Sequence, residues 1–179
     1  YGKSYPKLTA VLCGFVFTVL LVTFSLTDKS LTEMRVVDCG NGTAVLVSKN
    51  NETVLFGTGG NDFLSSYNIL HSIDNSGNVL QAMITPEIDK KSLDNSVNIL
   101  KTFSPDEIYC NNIPPEINPI LNNHSNKFNA EISFDNLDIS CFSLNEKSFA
   151  FINSEDLSVL LMFDPISDFG LVPEKYADA

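Results

Sequence analysis

The stretch MRVVDCGNGTAVLVSKNNETVLFGTGG, residues 34–60, decides the fold because it predicts the start of a β-sheet domain. Three apolar, β-branched runs follow one another closely within it, namely MRVVDC, TAVLVS and ETVLFG. Glycine-rich CGNG separates the first two runs, and KNNE, a hairpin-type turn, separates the second from the third. We therefore predict three consecutive strands that end in a glycine turn.

The sequence after residue 60 alternates between helical and strand patterns. The run NDFLSSYNILHSI places apolar residues at helical spacing, with Asn61 or Asp62 as a plausible cap, and its predicted apolar face is Phe63, Leu64, Tyr67, Leu70 and Ile73. VLQAMIT is predicted as a buried strand, residues 89–103 as an amphipathic helix and DEIYC as a short strand.

Residues 111–128 are rich in asparagine and proline, which predicts a loop. Beyond this loop, EISFDNLDISCFSL, SFAFIN and LSVLLMF are predicted to form three more strands in one antiparallel sheet. A chain in which strands alternate with helices in this way predicts an α/β layered domain.

A long uncharged segment precedes these elements, from Leu8 to Thr27. At about 1.5 Å per residue, a helix of this length spans about 30 Å, the thickness of the hydrocarbon core of a bilayer. We therefore predict a transmembrane helix at 8–27. The alternative is a secretory signal peptide that starts at Lys3 and Lys7, but the run is long and no A-x-A-like cleavage site follows it.

The positions of the lysines predict the orientation of this segment. Lys3 and Lys7 precede it, and positive charges near a span tend to remain in the cytoplasm. We interpret residues 1–7 as the cytoplasmic end of an upstream region, 28–33 as a linker and 34–179 as an extracytoplasmic domain that we expect to be truncated. The localisation is then the plasma membrane, with the lipid bilayer and an upstream transmembrane region of the same protein as partners.

The charge of the domain is strongly negative. All 22 acidic residues lie at or after Asp28, together with nine of the 11 basic residues, which gives a balance of −13. Such a surface repels phosphate backbones, and no run of lysine or arginine offers a compensating groove. Direct binding of DNA by this acidic domain is therefore disfavoured.

The four cysteines do not form a metal-binding pattern. Cys13 lies in the predicted span, and Cys39, Cys110 and Cys141 are scattered through the domain without a C-x-x-C or Cys/His cluster. Two arrangements remain for the three domain cysteines: one disulfide with one free thiol, or three small buried apolar residues. We expect the second.

The order of the runs resembles one known family. VVDCGNGTAVLV (36–47) is similar to D-V-G-Q-G-D-A-x-L-I, which opens the metallo-β-lactamase-like domain of ComEC-type DNA-uptake proteins, and VLFGTGG (54–60) is similar to the I-L-I-D-T-G-G of that domain. Three later runs resemble further motifs of the family in the same order, at residues 79–85, 100–110 and 154–163. The resemblance implies a partial αββα sandwich, preceded by one transmembrane helix, in a bacterial competence protein.

The retained motif residues are predicted to form turns between strands, where glycine permits positive φ, with a binding loop as the alternative. The turn positions that the resemblance assigns are Asp38, Gly40, Asn41, Gly42, Thr58, Gly59 and Thr85.

The resemblance also implies a metal site, because the T-H-x-x-x-D-H motif of the family supplies ligands for a divalent metal such as zinc or manganese. Here residues 85–95 read TPEIDKKSLDN, with Pro86 at the first histidine position and Lys90 and Lys91 at those of the aspartate and histidine. A one-residue deletion brings Asp89 onto the aspartate position. A lysine ammonium repels a cation and cannot bind it without losing a proton. We expect no cofactor, and we predict that Asp89 and Asp94 cap or solvate the start of a helix, with a remnant metal site at Asp89 as the alternative.

The two histidines, His71 and His124, lie far apart without ligand spacing, and we expect neither to bind a metal. Three functions remain open. The first is a non-catalytic domain of a membrane-anchored DNA-uptake channel, in which the full-length protein contacts single-stranded DNA. The second is a metal-dependent nuclease or hydrolase of the metallo-β-lactamase superfamily. The third is a single-span membrane protein with an extracytoplasmic interaction domain. The missing ligands favour the first and argue against an enzyme.

Overall fold

The computed structural model of the chain describes residues 16–19, 31–40, 42–60, 63–121, 125–134 and 137–163. The chain divides between Leu31 and Thr32 into two units. In the first unit residues 16–19 are helical, and the rest of the predicted transmembrane segment 8–27 lies outside the described residues. No helix in the described part of the chain is long and apolar enough to cross a membrane.

The second unit begins with a six-stranded sheet in the order β1-β2-β3-β4-β5-β6. Its strands are β1 (Glu33–Asp38), β2 (Thr43–Lys49), β3 (Glu52–Phe56), β4 (Val79–Ile84), β5 (Glu107–Tyr109) and β6 (Ser125–Asn126). The pairs β1–β2 and β2–β3 are antiparallel, whereas β3 to β6 run parallel to one another. The carboxyl ends of β3, β4 and β5 therefore meet at one edge, which is where α/β sheets bind ligands.

Two helices connect the parallel strands. α1 (Phe63–Ser76) joins β3 to β4, and α2 (Leu93–Phe103) joins β4 to β5. α2 begins four residues after its predicted start at Asp89, because a turn over residues 90–92 comes first. It ends where Ser104 adopts a left-handed conformation with φ 46° and donates its N–H to the carbonyl of Leu100.

The buried face of α1 differs from the predicted one. Leu64 and Tyr67 are 65% and 52% exposed, whereas Ser65, Ile69 and Ile73 are buried at successive steps of four residues. The prediction is wrong at Leu64 and Tyr67 and confirmed at Leu70 and Ile73, which pack in the core; because it followed apolar side chains only, it missed Ser65. A serine at the first of these positions is small enough to let the helix approach the loop after β3 closely.

The last four strands form a separate antiparallel sheet in the order β10-β9-β8-β7. They are β7 (Ala130–Phe134), β8 (Leu137–Leu144), β9 (Lys147–Asn153) and β10 (Ser158–Met162). The prediction of a single strand for EISFDNLDISCFSL was wrong, because Phe134 pairs with Leu137 and the segment is a hairpin of β7 and β8. The sequence Asp-Asn at 135–136, a turn-prone pair, is the signal that marks the division.

Two buried apolar clusters lie on opposite faces of the six-stranded sheet, because successive residues of a strand point to opposite faces. These clusters hold the layers together. Leu46, Leu55 and Met83 pack with the helices on one face of the six-stranded sheet. On the other face, Val47 and Phe56 belong to the cluster shared with the antiparallel sheet. The domain is therefore layered as helices, sheet and sheet, which agrees with the predicted α/β sandwich.

The three domain cysteines, Cys39, Cys110 and Cys141, are buried, as predicted, and form no disulfide with one another, so the disulfide alternative is wrong. Burial raises the pKa of the Cys110 thiol and raises that of Cys141 to about 12. Both thiols therefore remain protonated at neutral pH and act as small apolar core groups.

Candidate functional site

A cleft of about 480 Å³ lies at the carboxyl ends of the parallel strands. Its walls come from the β1–β2 turn, from the loops that follow β3, β4 and β5, and from the β8–β9 hairpin. The predicted turn residues Gly42, Thr58, Gly59 and Thr85 all line this cleft. Sequence positions up to 43 residues apart, from Gly42 to Thr85, are thus brought together by the parallel strand order.

Glycine allows the first two turns to touch. A Cβ atom on Gly42 would lie 2.1 Å from the backbone nitrogen of Gly60, and one on Gly59 would lie 2.2 Å from the hydroxyl of Ser65. Gly59 also has φ 70°, a conformation that residues with a side chain rarely adopt. The glycines of these two turns therefore have a packing role at the floor of the cleft.

The first turn has a second local stabilisation. Asp38 accepts a hydrogen bond of 3.1 Å from the N–H of Gly40, which has φ 61°. Asp38 and Gly40 therefore form an Asx-type turn at the end of β1 and do not line the cleft. The remaining predicted turn residue, Asn41, lies outside the described residues.

A buried amide, Asn95, ties α2 to the loop after β3. Its side chain is only 3% exposed, and its Nδ2 donates to the carbonyls of Thr58 (3.3 Å) and Gly60 and to the hydroxyl of Ser65 (3.1 Å). The same hydroxyl accepts the N–H of Gly60 at 3.0 Å. Sequence reasoning missed this residue. The sequence offered one signal. Asn95 is a polar residue three positions after Ser92, so it falls on the inward face of the helix.

Asp89 stabilises the turn that leads into α2. Its Oδ1 accepts hydrogen bonds from the N–H groups of Lys91 (3.0 Å) and Ser92 (2.9 Å) and from the hydroxyl of Ser92 (2.8 Å). Partial burial would raise the pKa of Asp89, but these hydrogen bonds outweigh it and hold the pKa below its ordinary value of 3.8. The carboxylate is thus ionised, and one of its two oxygens, Oδ1, accepts from all three donors.

The end of β4 is fixed in the same region. Thr85 donates its N–H to the carbonyl of Tyr109 (2.9 Å) and its hydroxyl to the carbonyl of Glu87 (3.0 Å), and Pro86 accepts the N–H of Asn111 (3.0 Å) through its carbonyl. Pro86 is the residue that the sequence resemblance aligns with the family's first histidine, and its ring offers no lone pair to a metal.

The described residues of the cleft do not include the imidazole and thiolate ligands that zinc prefers. The carboxylates of the cleft are those of Glu87, Asp89 and Glu146, and no histidine or cysteine lines it within the described residues. Across the same part of the chain, no three His, Cys, Asp or Glu side chains are grouped closely enough to hold an ion. Zinc in particular is bound by nitrogen and sulfur ligands at short, fixed distances.

The histidines lie away from the cleft as far as the structure describes them. His71 is exposed on α1, stacks on Tyr67 with 5.6 Å between ring centroids and lies 2.9 Å from the amide of Asn75. His124 lies outside the described residues. His71 is therefore a surface residue.

Solved metallo-β-lactamases share this fold. The metallo-β-lactamase from Staphylococcus aureus subsp. aureus COL matches with a TM-score of 0.50 and 14% identity, over 70% of this chain and 40% of that one. The MIM-2 metallo-β-lactamase matches with a TM-score of 0.55 and 10% identity, over 84% and 66%. The chain therefore spans less than two thirds of either relative, and at this identity the likeness concerns the fold alone.

The domain thus has a metallo-β-lactamase-like fold. No protein-family model and no curated protein matches the sequence.

Proposed function

We propose that this chain is a non-catalytic, metallo-β-lactamase-like domain of a bacterial DNA-uptake channel protein, anchored in the plasma membrane and facing the outside of the cell. The observation that carries the non-catalytic part is the loop after β4. There Pro86 stands where the resembling family has a histidine, and Oδ1 of Asp89 accepts three hydrogen bonds from its own turn. Hydrolysis by this superfamily depends on a metal-bound water, which such a loop does not support.

The DNA-uptake part of the proposal rests on the sequence motifs. They occur in family order between Val36 and Phe163 and follow an apolar segment of membrane-spanning length. The balance of −13 after residue 28 argues that the domain itself repels DNA. Its role would then be structural, or contact with a protein partner, while other parts of the full-length protein handle the strand.

Metal content and nuclease activity test the non-catalytic part. The full chain is purified, incubated with Zn²⁺ or Mn²⁺, dialysed and analysed for bound metal, and then incubated with labelled single-stranded DNA. We expect neither stoichiometric metal nor cleavage. Metal-dependent cleavage that Asp89→Asn abolishes, and that Asp94→Asn on the first turn of α2 leaves intact, would overturn the proposal in favour of a nuclease.

DNA uptake in the source bacterium tests the remaining part. Deletion of the codons for residues 32–179 is expected to reduce uptake of labelled transforming DNA, whereas Glu87→Gln in the cleft is expected to leave it unchanged. Unchanged uptake after the deletion would instead support a single-span protein with an interaction domain and no connection to DNA.

A further inference from the structure

The Thr58 hydroxyl is a hydrogen-bonding group in the wall of the cleft. Thr58 is only 3% exposed, and its hydroxyl bonds to no other described residue, although its carbonyl accepts from Asn95. Yet no buried side-chain polar atom of the described residues lacks a partner. The hydroxyl must therefore reach solvent through the cleft that Thr58 lines, where it can donate to and accept from a bound molecule.

The charges of the cleft decide which class of molecule it accepts. Glu87 and Glu146 line it and are exposed, and no lysine, arginine or histidine among the described residues lines it. A phosphate or carboxylate ligand would find no counter-charge there. Asp89 also lines the cleft, with its Oδ1 held by the N–H groups of its own turn, and the remaining polar groups are neutral, among them the amides of Asn111 and Asn112. Such a set of hydroxyl, amide and carboxylate groups pairs well with the hydroxyls of an uncharged ligand.

An aromatic ring completes this lining. Phe163 faces the cleft and packs edge-to-face against Phe128, with 5.6 Å between ring centroids and an interplanar angle of 82°. A ring held in this way offers an apolar surface to the C–H groups of a sugar. The cleft volume of about 480 Å³ also lies within the range of small-molecule sites.

The backbone conformation at Glu146 is a further observation, independent of the lining groups, that singles out this cleft. The β8–β9 turn consists of Asn145 and Glu146, with φ 48° and 65°, so both residues are left-handed. Asparagine tolerates this conformation, and glycine is the usual second residue of such a turn, but glutamate is disfavoured there. The strained residue is the one whose side chain lines the cleft, and strain of this kind concentrates at functional sites.

We infer that the cleft binds an uncharged, hydroxyl-rich ligand of the size of a short saccharide, with Thr58, Glu146, Asn112 and Phe163 as the contacting residues. This inference rests on the proposed function, because it requires a cleft that holds no metal. It adds to that function a binding activity on the outer side of the membrane.

Binding of neutral and charged trisaccharides tests the inference. The full chain in detergent micelles is titrated by calorimetry with maltotriose, cellotriose and chitotriose, and with trigalacturonate and the glucosamine trimer as anionic and cationic probes of equal size. We expect at least one neutral trisaccharide to bind and the anionic probe not to bind. Absence of binding by all three neutral probes, or preferential binding of either charged probe, would overturn the inference.

Variants locate the binding in the cleft. Thr58→Val keeps the shape of the side chain and removes the hydroxyl, and we expect it to weaken binding roughly tenfold. Thr58→Ser retains the hydroxyl and is expected to bind nearly as the parent does. Glu155→Gln changes a residue outside the cleft and is likewise expected to bind as the parent does. Equal affinity of Thr58→Val and the parent, with both folded by circular dichroism, would place the binding elsewhere and contradict the inference.

The metal content of the same sample separates the two proposals. If the chain holds no metal and binds no neutral trisaccharide, the ligand inference fails and the non-catalytic function stands. If it retains stoichiometric zinc and cleaves DNA, the proposed function itself fails.

Discussion

Asp156 accepts two hydrogen bonds of 2.7 Å from Thr32, one from the backbone N–H and one from the side-chain hydroxyl, across 124 residues of sequence. Ser154 joins them, with its hydroxyl 3.0 Å from that of Thr32 and 2.8 Å from the carboxylate. The entry to the domain is thereby attached to the turn between β9 and β10. Because Thr32 lies in the predicted linker, this end of the linker is part of the folded domain.

The Thr32–Asp156 contact predicts a defined pH dependence. The hydrogen bonds from Thr32 and Ser154 hold the pKa of Asp156 well below its ordinary value of 3.8. The folded pKa is thus lower than the unfolded one, so the contribution to stability is present above pH 3.8 and is lost as the pH falls through the folded pKa. We expect Asp156→Asn to lower the urea midpoint at pH 6 and to have little effect at the lowest pH at which the parent remains folded.

Glu155→Gln, at the neighbouring exposed carboxyl, is the control for that experiment. A pH-independent difference between the parent and Asp156→Asn would show that the carboxylate charge does not contribute through Thr32. A carboxyl titration of Asp156 by NMR provides the direct measurement, with a midpoint below 3.8 as the expected result.

Asn95→Ala is predicted to be strongly destabilising. The substitution removes the shared donor of the Thr58 and Gly60 carbonyls in a buried site, and unsatisfied buried groups cost about 1–3 kcal/mol each. We expect a loss of about 3 kcal/mol in the free energy of unfolding, measured by urea denaturation. Asn98→Ala, three residues further along α2 and exposed, should cost well under 1 kcal/mol. Similar losses for both variants would contradict the role assigned to Asn95.

Gly42→Ala and Gly77→Ala separate close packing from backbone conformation. A Cβ at Gly42 would meet the Gly60 backbone at 2.1 Å, whereas one at Gly77 meets nothing within 4 Å but requires φ 65°. Backbone cannot move aside as a side chain does, so we expect Gly42→Ala to cost about 3 kcal/mol or to prevent folding. Gly77→Ala should cost about 1 kcal/mol, from left-handed strain alone. Thermal unfolding of both variants provides the comparison, and equal costs would show that the two turns do not pack as described.

Glu146→Gly is expected to stabilise the protein while weakening ligand binding. Glycine relieves the left-handed strain at φ 65°, which amounts to about 1 kcal/mol for a residue with a side chain. Asn51→Gly, in the β2–β3 turn at φ 71°, is the matched control and should gain less, because asparagine tolerates this conformation. If Glu146→Gly is less stable than the parent, the strain at this turn is compensated by contacts of the glutamate side chain.

The elements that could be predicted from the sequence are those whose pattern involves only neighbouring residues. Alternation and turn residues predicted β1 to β5 and the last two strands, because these signals depend on neighbouring residues. The β7–β8 hairpin was missed because the apolar alternation continues on both sides of Asp135. The inner face of α1 was misassigned because the burial of Ser65 depends on Gly59, a contact that no periodicity contains.

Part of the site could be predicted because its residues lie at the ends of predicted strands. Gly42, Thr58 and Thr85 were found because they end strands, and parallel strands bring such residues to one edge. Glu146 was not found, because it comes from the other sheet and its position depends on how the two sheets pack. Asn95 was missed because its hydrogen bonds all lead to the loop after β3 and the first turn of α1, 30 or more residues earlier.

The turn at Asp89 has a consequence for any attempt to rebuild a metal centre in this fold. Histidines placed at Pro86 and Lys91 would add two ligands, and a third would have to come from Oδ2 of Asp89, because Oδ1 already accepts from the N–H groups of Lys91 and Ser92 and from the Ser92 hydroxyl. One oxygen of this carboxylate thus orders the turn before α2, and the other is the one left to bind an ion. A rebuilt centre must therefore place its metal on the Oδ2 side of Asp89.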